Sequence, residues 1–295
     1  MIEWTPDATA LQLGPLALPW YGIGYAVAIA VGVWLVGVEA RRRGLDASIV
    51  GDGLILVVVC GVIGARMYHV IDQWQIYQDD LLKIVLPPYS GLALYGGVGG
   101  GIVGVFLYTR RRGQSFLRWA DAAVPSLFIG QAIARWGNFF NQELYGPPTN
   151  LPWGLAIDCA HRVAAYLCPG DPRLQPGQAS FPLETTGFHP LFFYESALTL
   201  TGGLVALWLG RRFAARLRDG DLLSLWFIWY GVVRALLETF REGWNWVVGG
   251  IPVAILISLV VIGLGVASIA WRHRGPRPVD ADSVAPVSVE APPPG

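Results

Sequence analysis

Long apolar runs alternate with short arginine-rich connections along this chain, and that alternation sets the expected fold. Seven runs approach 20 residues, at about 21–40, 50–70, 91–109, 119–138, 190–210, 221–240 and 251–271. A helix of about 20 residues crosses a hydrocarbon core about 30 Å thick. The pattern predicts an all-α integral membrane protein, a seven-transmembrane-helix bundle forming one domain over residues 1–275. Between the fourth and fifth runs, residues 139–188 hold Pro147, Pro148, Pro152, Pro169, Pro172, Pro176 and Pro182, which oppose long helices. A small irregular cap with at most short strands is expected there. Residues 71–90 carry Trp74, Tyr77, Leu81, Leu82, Ile84 and Val85 and read as an amphipathic segment along the bilayer surface. Residues 276–295 are rich in Pro, Ala and Val and read as a disordered tail.

Composition agrees. Charged residues make up 14% of the chain and hydrophobic ones 54%, with mean hydropathy +0.47. A soluble domain carries about 25% charge. The net charge of zero conceals an asymmetry. Arg41–Arg43, Arg110–Arg112 with Arg118, Arg211, Arg212, Arg216 and Arg218, and Arg272, Arg274 and Arg277 all fall on alternate connections. Positive charge marks the cytoplasmic side, so the N-terminus and the 139–188 cap are expected outside and the C-terminus inside. Residues 1–20 lack a basic stretch and a small-residue cleavage site, so no removable signal peptide is expected. Cys159 and Cys168 share the cap, and a disulfide is open to them if that loop faces an oxidising compartment. His69, His161, His189 and His273 are scattered, and no Cys/His spacing suggests a metal site. No cofactor and no nucleic-acid partner is expected.

Three arginines interrupt apolar runs: Arg66, Arg135 and Arg234. An intramembrane arginine is costly and normally faces a bundle interior or wet cavity. With alternating direction, all three lie near the outer ends of the second, fourth and sixth helices. The first turns of the odd-numbered helices bring Tyr21, then Tyr95 with Gly96 and Gly97, then His189, Tyr194 and Glu195 to the same depth. Residues 134–146 add Asn138, Asn141 and Glu143 beside Arg135. Arg135 offers a donor fork suited to phosphate or carboxylate, although a capped helix end with a snorkelling Arg is the plainer reading. Arg234, Glu238 and Arg241 share one helix face, as an intrahelical salt bridge or as a phosphate-facing set. Glu195 needs a cationic partner, for structure or for catalysis. The glycines of 96–104 permit close helix packing, which suits Gly100 and Gly104, while Gly96 and Gly97 could instead admit a lipid headgroup.

These residues resemble a known family. Arg135-Trp-Gly-Asn138-Phe-Phe-Asn141-Gln-Glu143-Leu-Tyr-Gly146, followed by Pro-Thr and Leu151-Pro152-Trp153, is similar to the signature of the prolipoprotein diacylglyceryl transferases. The resemblance extends to Trp20-Tyr21-Gly22, Gly64-Ala65-Arg66, Leu94-Tyr95-Gly96-Gly97, His189-Pro190 with Tyr194-Glu195, and Arg234, Glu238 and Arg241. It covers about residues 12–272.

The resemblance implies transfer of a diacylglyceryl group from phosphatidylglycerol to the lipobox cysteine thiol of pre-prolipoproteins. A thioether forms and glycerol phosphate leaves, at the outer leaflet of a bacterial plasma membrane. It implies essential roles for Arg135 and Arg234 and importance for Tyr21, Asn138, Glu143, Gly146 and Glu238. Glu143 or Glu238 would take the thiol proton or only anchor an arginine. The family often has His where this chain has Tyr95, which puts a base at that position in doubt, since tyrosine has a reference pKa of about 10. Apart from the resemblance, a transporter or channel for an anionic solute is the competing reading. It would call for internal repeats and polar groups near the midplane, whereas the polar groups here gather near one face.

Overall fold

A computed structural model describes residues 1–14, 16–85, 93–241 and 247–275. The tail expected at 276–295 lies outside them. Eight α-helices are present among the described residues: α1 (Trp20–Arg42), α2 (Ile49–Asp72), the four-residue α3 (Trp74–Tyr77), α4 (Leu94–Arg111), α5 (Phe116–Phe140), α6 (Leu191–Arg212), α7 (Asp221–Glu238) and α8 (Val253–Arg274). The long ones fall on the apolar runs. Four of them, α1, α2, α6 and α8, are long and apolar enough to cross a membrane by length and composition. Ile55 and Ile71 on α2 and Leu264 and Trp271 on α8 are among the large apolar side chains left exposed. In water such surface would cost about 25 cal/mol per Å², so these faces suit lipid.

An all-α expectation is incomplete. Among the described residues, three two-stranded antiparallel sheets accompany the helices. β1 (Thr9–Leu13) pairs with β2 (Leu16–Pro19) just before α1, β3 (Pro148–Thr149) with β4 (Gly187–Phe188) inside the cap, and β5 (Val247–Val248) with β6 (Ile251–Pro252) before α8. The last four strands, of two residues each, are too short to give a period-two pattern that stands out in sequence. Downstream of α2, the segment expected to be amphipathic forms α3 and one 3₁₀ turn at Leu81–Ile84 within its described residues, with Leu81, Leu82 and Val85 exposed, and its residues 86–90 lie outside the described part.

α5 is the central post. It packs against α1, α4, α6 and α7 and buries residues along its length, from Trp119 to Phe139. Ser115 opens it by accepting from the Arg118 amide. Val124 and Phe128 on α5 meet Ala206 on α6 and Leu222 and Trp226 on α7. Polar ties fix the same helices: Ser196 donates to the Ala132 carbonyl at 2.8 Å, and Trp229 Nε1 donates to Leu198 O at 3.0 Å. α2 and α4 form a second tight pair. A Cβ on Gly104 would lie 2.8 Å from Val57 Cα, and one on Gly100 would strike the Cys60 carbonyl, so the two backbones approach as only glycine allows.

The cap has its own apolar core. Tyr145, Leu155, Ile157, Tyr166 and Phe188 pack with Phe139 at the end of α5 and Phe192 at the start of α6. The N-terminal segment closes one edge: Ile2 bridges Leu155, and the Trp4 ring meets Phe139 edge-on at 5.3 Å. Cap, N-terminal segment, end of α5 and start of α6 therefore share one end of the bundle.

Candidate active site

α5 runs into the cap through a strained turn. Asn141 ends the helix, and Gln142 and Leu144 then take left-handed conformations at φ 51° and 59°. Non-glycine residues are uncommon in that region, and strain of this kind persists only where surrounding contacts over-determine it. The contacts are present. Gln142 is buried, donates to Asp158 Oδ2 at 2.7 Å and accepts from the Asp158 amide at 2.8 Å. The Phe192 amide donates to the Leu144 carbonyl at 3.0 Å. Glu143, held between these two residues, turns its carboxylate back on α5. It accepts from Asn138 Nδ2 at 2.9 Å and from Asn141 Nδ2 at 3.2 Å.

Those bonds fix the Asn138 amide. A carboxylate only accepts, so the nitrogen must face Glu143 and the oxygen must face away. Asn138 Oδ1 is then buried without a partner among the described residues. Leaving an acceptor buried and unmet costs about 1–3 kcal/mol.

The space it borders is a cavity of about 350 Å³ between α5, α6, α7 and the cap. Arg135, Arg234 and Arg241 line it together with Asn138, Glu143 and Glu195. Arg135 NH2 pairs with Glu195 Oε1 across α5 and α6 at 2.5 Å. Arg234 NH2 pairs with Glu238 Oε2 one helical turn on, at 2.7 Å. Both carboxylates are almost fully buried, whereas the guanidinium side chains keep 23% and 15% exposure. Each arginine therefore spends part of its donor fork on a buried anchor and turns the rest to the cavity. Such a chamber suits an anion with several oxygens, phosphate above all.

Of the other expected site residues, Tyr21 lies within electrostatic reach of Glu143 and Arg135 without lining the cavity, and most of the rest stand apart from it. The Tyr21 ring lies on the α5 backbone at Gly137, where an added Cβ would sit 2.5 Å from Tyr21 Cδ2. His189 faces Tyr194, with Nδ1 3.1 Å from its hydroxyl, and Trp153 Nε1 donates to that same hydroxyl at 2.9 Å. Gly146 donates its amide to the His189 carbonyl at 2.8 Å, and a Cβ there would press His189 and Leu191 at 3.2 Å. Gly146 and His189 are thus the joint between cap and α6. Arg66 does not line the cavity. It donates to the carbonyls of Ile84 and Lys83 at 3.0 and 2.5 Å and lies over the Tyr77 ring, so it fastens the surface segment to α2. Gly96 packs closely on α2 against Gly64 and Tyr68, and a Cβ on Gly97 would meet Ala65 at an ordinary contact distance of 3.6 Å. Tyr95 stands in the first turn of α4, and its side chain lies outside the described part.

Several wall residues escaped the sequence reading. Tyr230, Leu144, Tyr145, His161 and Val163 complete the lining. Tyr230 precedes Arg234 by one helical turn, a spacing that could have exposed it. The rest come from cap turns whose fold no periodicity announces. One of those turns is closed by the Cys159–Cys168 disulfide, with Cα atoms 5.5 Å apart.

A family model described as prolipoprotein diacylglyceryl transferase matches residues 8–271. Proteins named phosphatidylglycerol–prolipoprotein diacylglyceryl transferase are similar over most of their length. The one from Symbiobacterium thermophilum is 38% identical over 273 residues, covering 92% of this chain and 94% of that protein. The one from Synechococcus elongatus is 34% identical over 272 residues (91% and 88%), and the one from Bifidobacterium longum is 32% identical over 279 residues (93% and 87%). With the arginine-lined chamber and the apolar helices around it, these matches establish that the chain belongs to the prolipoprotein diacylglyceryl transferase family.

Proposed function

We propose that this chain moves the diacylglyceryl group of phosphatidylglycerol onto the lipobox cysteine of pre-prolipoproteins. The observation that carries the reading is the meeting of Arg135, Arg234 and Arg241 in one chamber. The phosphate of phosphatidylglycerol sits between Arg135 and Arg234. A hydroxyl of its glycerol headgroup donates to Asn138 Oδ1, the acceptor left without a partner. The lipobox thiolate attacks the glyceryl carbon that bears the phosphate oxygen. The C–S bond forms as the C–O bond breaks, and glycerol phosphate departs. Negative charge grows on the leaving phosphate, and preorganised guanidiniums stabilise it without reorganisation. Glu195 and Glu238 hold those guanidiniums in place. In-line placement of sulfur and leaving oxygen supplies much of the remaining acceleration.

We read the seven long helices as seven crossings, with residues 1–275 as one membrane domain. The N-terminus and cap lie outside and the C-terminus in the cytoplasm, so the chamber opens to the outer leaflet. Arginine placement supports this orientation. The Cys159–Cys168 disulfide in the cap supports it too, since disulfides persist in oxidising compartments. α3 and the turn at Leu81–Ile84 then rest on the outer bilayer surface. A channel or transporter of anionic solutes finds no support among the named relatives. The test is incubation of the purified protein with phosphatidylglycerol labelled in its acyl chains and a lipobox peptide. Thioether-linked label on the peptide cysteine is the expected result, and its absence, with the lipid intact, defeats the reading.

A further inference from the structure

The proposed transfer needs a proton acceptor for the lipobox thiol, and the carboxylates in and behind the chamber are already engaged. Glu143 accepts from Asn138 and Asn141, Glu195 from Arg135, and Glu238 binds Arg234. Tyr145 donates to the His161 carbonyl at 3.1 Å and accepts from the Val163 amide at 2.7 Å. His161 is the one imidazole in the cavity wall, and its ring nitrogens have no partner among the described residues.

His161 lies on an exposed turn, yet its backbone is pinned from every side. Its amide donates to the Asp158 carbonyl at 2.9 Å, and Asp158 is clasped by Gln142, the neighbour of Glu143. Two residues before it, Cys159 is bonded to Cys168. Immediately after it, Arg162 is buried against the Phe188 ring and donates to the carbonyls of Ile157, Tyr166 and Phe181. Behind the turn, Arg173 reaches the carbonyls of Arg162 and Cys159 and is itself held by Asp171, whose carboxyl that hydrogen bond lowers to about 2. A solvent-facing side chain on a backbone fixed this firmly is held for what it meets. Imidazole is also the side chain whose charge changes most readily near neutral pH, which suits it to give and take a proton.

We propose that His161 is the proton acceptor of the transfer. This rests on the diacylglyceryl-transfer reading. A free ring nitrogen takes the thiol proton, giving imidazolium and thiolate. The thiolate forms the C–S bond, the C–O bond to phosphate breaks, and the imidazolium returns the proton to the departing glycerol phosphate or to water. The charged and titratable groups that share the chamber with His161 are Arg135, Glu143, Glu195, Tyr230, Arg234 and Arg241, with Tyr145, Asp158 and Arg173 at its own turn.

The test measures transfer from labelled phosphatidylglycerol to a lipobox peptide between pH 5.5 and 9, for the unaltered protein and for His161→Gln and His161→Ala. The unaltered protein is expected to slow toward the acid end of that range. His161→Gln is expected to lose that acid-side fall and to run on the order of 10²-fold slower at neutral pH. Added imidazole is expected to restore part of the His161→Ala rate, which a merely structural histidine would not allow. A His161→Gln rate within threefold of the unaltered protein overturns the proposal. So does a slower variant that keeps the acid-side fall. In both of those cases the transfer reading stands, whereas no transfer by the unaltered protein removes both.

Discussion

Buried carboxylates occupy both ends of the helix bundle, and they are satisfied in different ways. Away from the cap, Glu39 on α1 accepts from Arg42 at 2.9 Å and from Arg211 of α6 at 3.0 Å. Asp121 on α5 accepts the amides of Gly220 and Leu223, both at 2.9 Å, and so caps α7 from a neighbouring helix. Asp221 accepts from the Arg218 amide and binds Arg272 and His273 at the end of α8. Asp121 and Asp221 thus serve the start of α7, and Arg272 and His273 stand at the end of α8, as the helix dipole favours, while Glu39, near the end of α1, is held by its two arginines. Neither described cavity touches these groups. Near the cap, Arg135–Glu195 and Arg234–Glu238 border an open chamber, and Asn138 keeps an acceptor unmet. A buried ion pair contributes little net stability, so guanidiniums that keep exposure toward a chamber call for another explanation. One end of the bundle uses its charges to close helices, and the other holds them in readiness.

The comparison breaks first at the arginines. Arg234→Ala or Arg135→Ala should lower transfer to the lipobox peptide on the order of 10³-fold or more, about 4 kcal/mol of transition-state stabilisation. Removing either cation also takes the counter-charge from a buried carboxylate, at a cost of about 3 kcal/mol in stability, so the loss is to be read as rate per folded molecule. Rates within tenfold of the unaltered protein would place the chemistry elsewhere.

The opposite end should behave in reverse. Asp221→Ala leaves Arg272 and the Arg218 amide without their acceptor. Removing one partner of a buried pair costs about 3 kcal/mol, so the yield and heat resistance of folded protein should fall. The rate per folded molecule should stay within about twofold of the unaltered protein on the transition-state scale, which is less than 0.5 kcal/mol. A large loss of rate with unchanged stability would erase the contrast between the two ends.

The disulfide tests how far the chamber depends on the cap. Cys159→Ser with Cys168→Ser opens a loop of nine-residue separation, for which chain entropy gives about 2–3 kcal/mol. That loss should fall on the cap, seen as faster proteolysis between 158 and 182, while the helices keep their thermal midpoint. Transfer should weaken by a smaller factor than in Arg234→Ala, since both arginines are held by helices.

The helices were legible because a membrane span dictates its own length and composition, and the apolar runs fall within a few residues of the long helices. Arg135 and Arg234 were legible because a guanidinium inside an apolar run demands a reason. What joined them was not. That Glu195 meets Arg135 depends on the rotation of α6 about α5, and helical spacing within one segment carries no such information. The cap pairs residues about 40 apart, Pro148 with Phe188, through strands of two residues. Glycines gave an ambiguous signal for a physical reason. Close backbone approach and ligand access both require a missing Cβ, and only the neighbours of Gly96 decide for packing there.

Arg66 gives the smallest and most discriminating effect. By sequence it is equivalent to Arg135 and Arg234, a cation near the end of an apolar run. In the structure its fork is spent on the carbonyls of Lys83 and Ile84, backbone acceptors of a 3₁₀ turn. Arg66→Ala should therefore loosen that turn by about 1.5–3 kcal/mol, the range for hydrogen bonds that involve a charged group. It should lower transfer less than tenfold and leave the ratio of rates with short- and long-chain phosphatidylglycerol to carry any change, because a surface segment governs how lipid approaches rather than how phosphate departs. Arg66→Lys should not repair the turn, since one ammonium cannot reproduce the planar fork. A loss as large as that of Arg234→Ala would mean that position in an apolar run, and not membership of the chamber, decides which arginines take part.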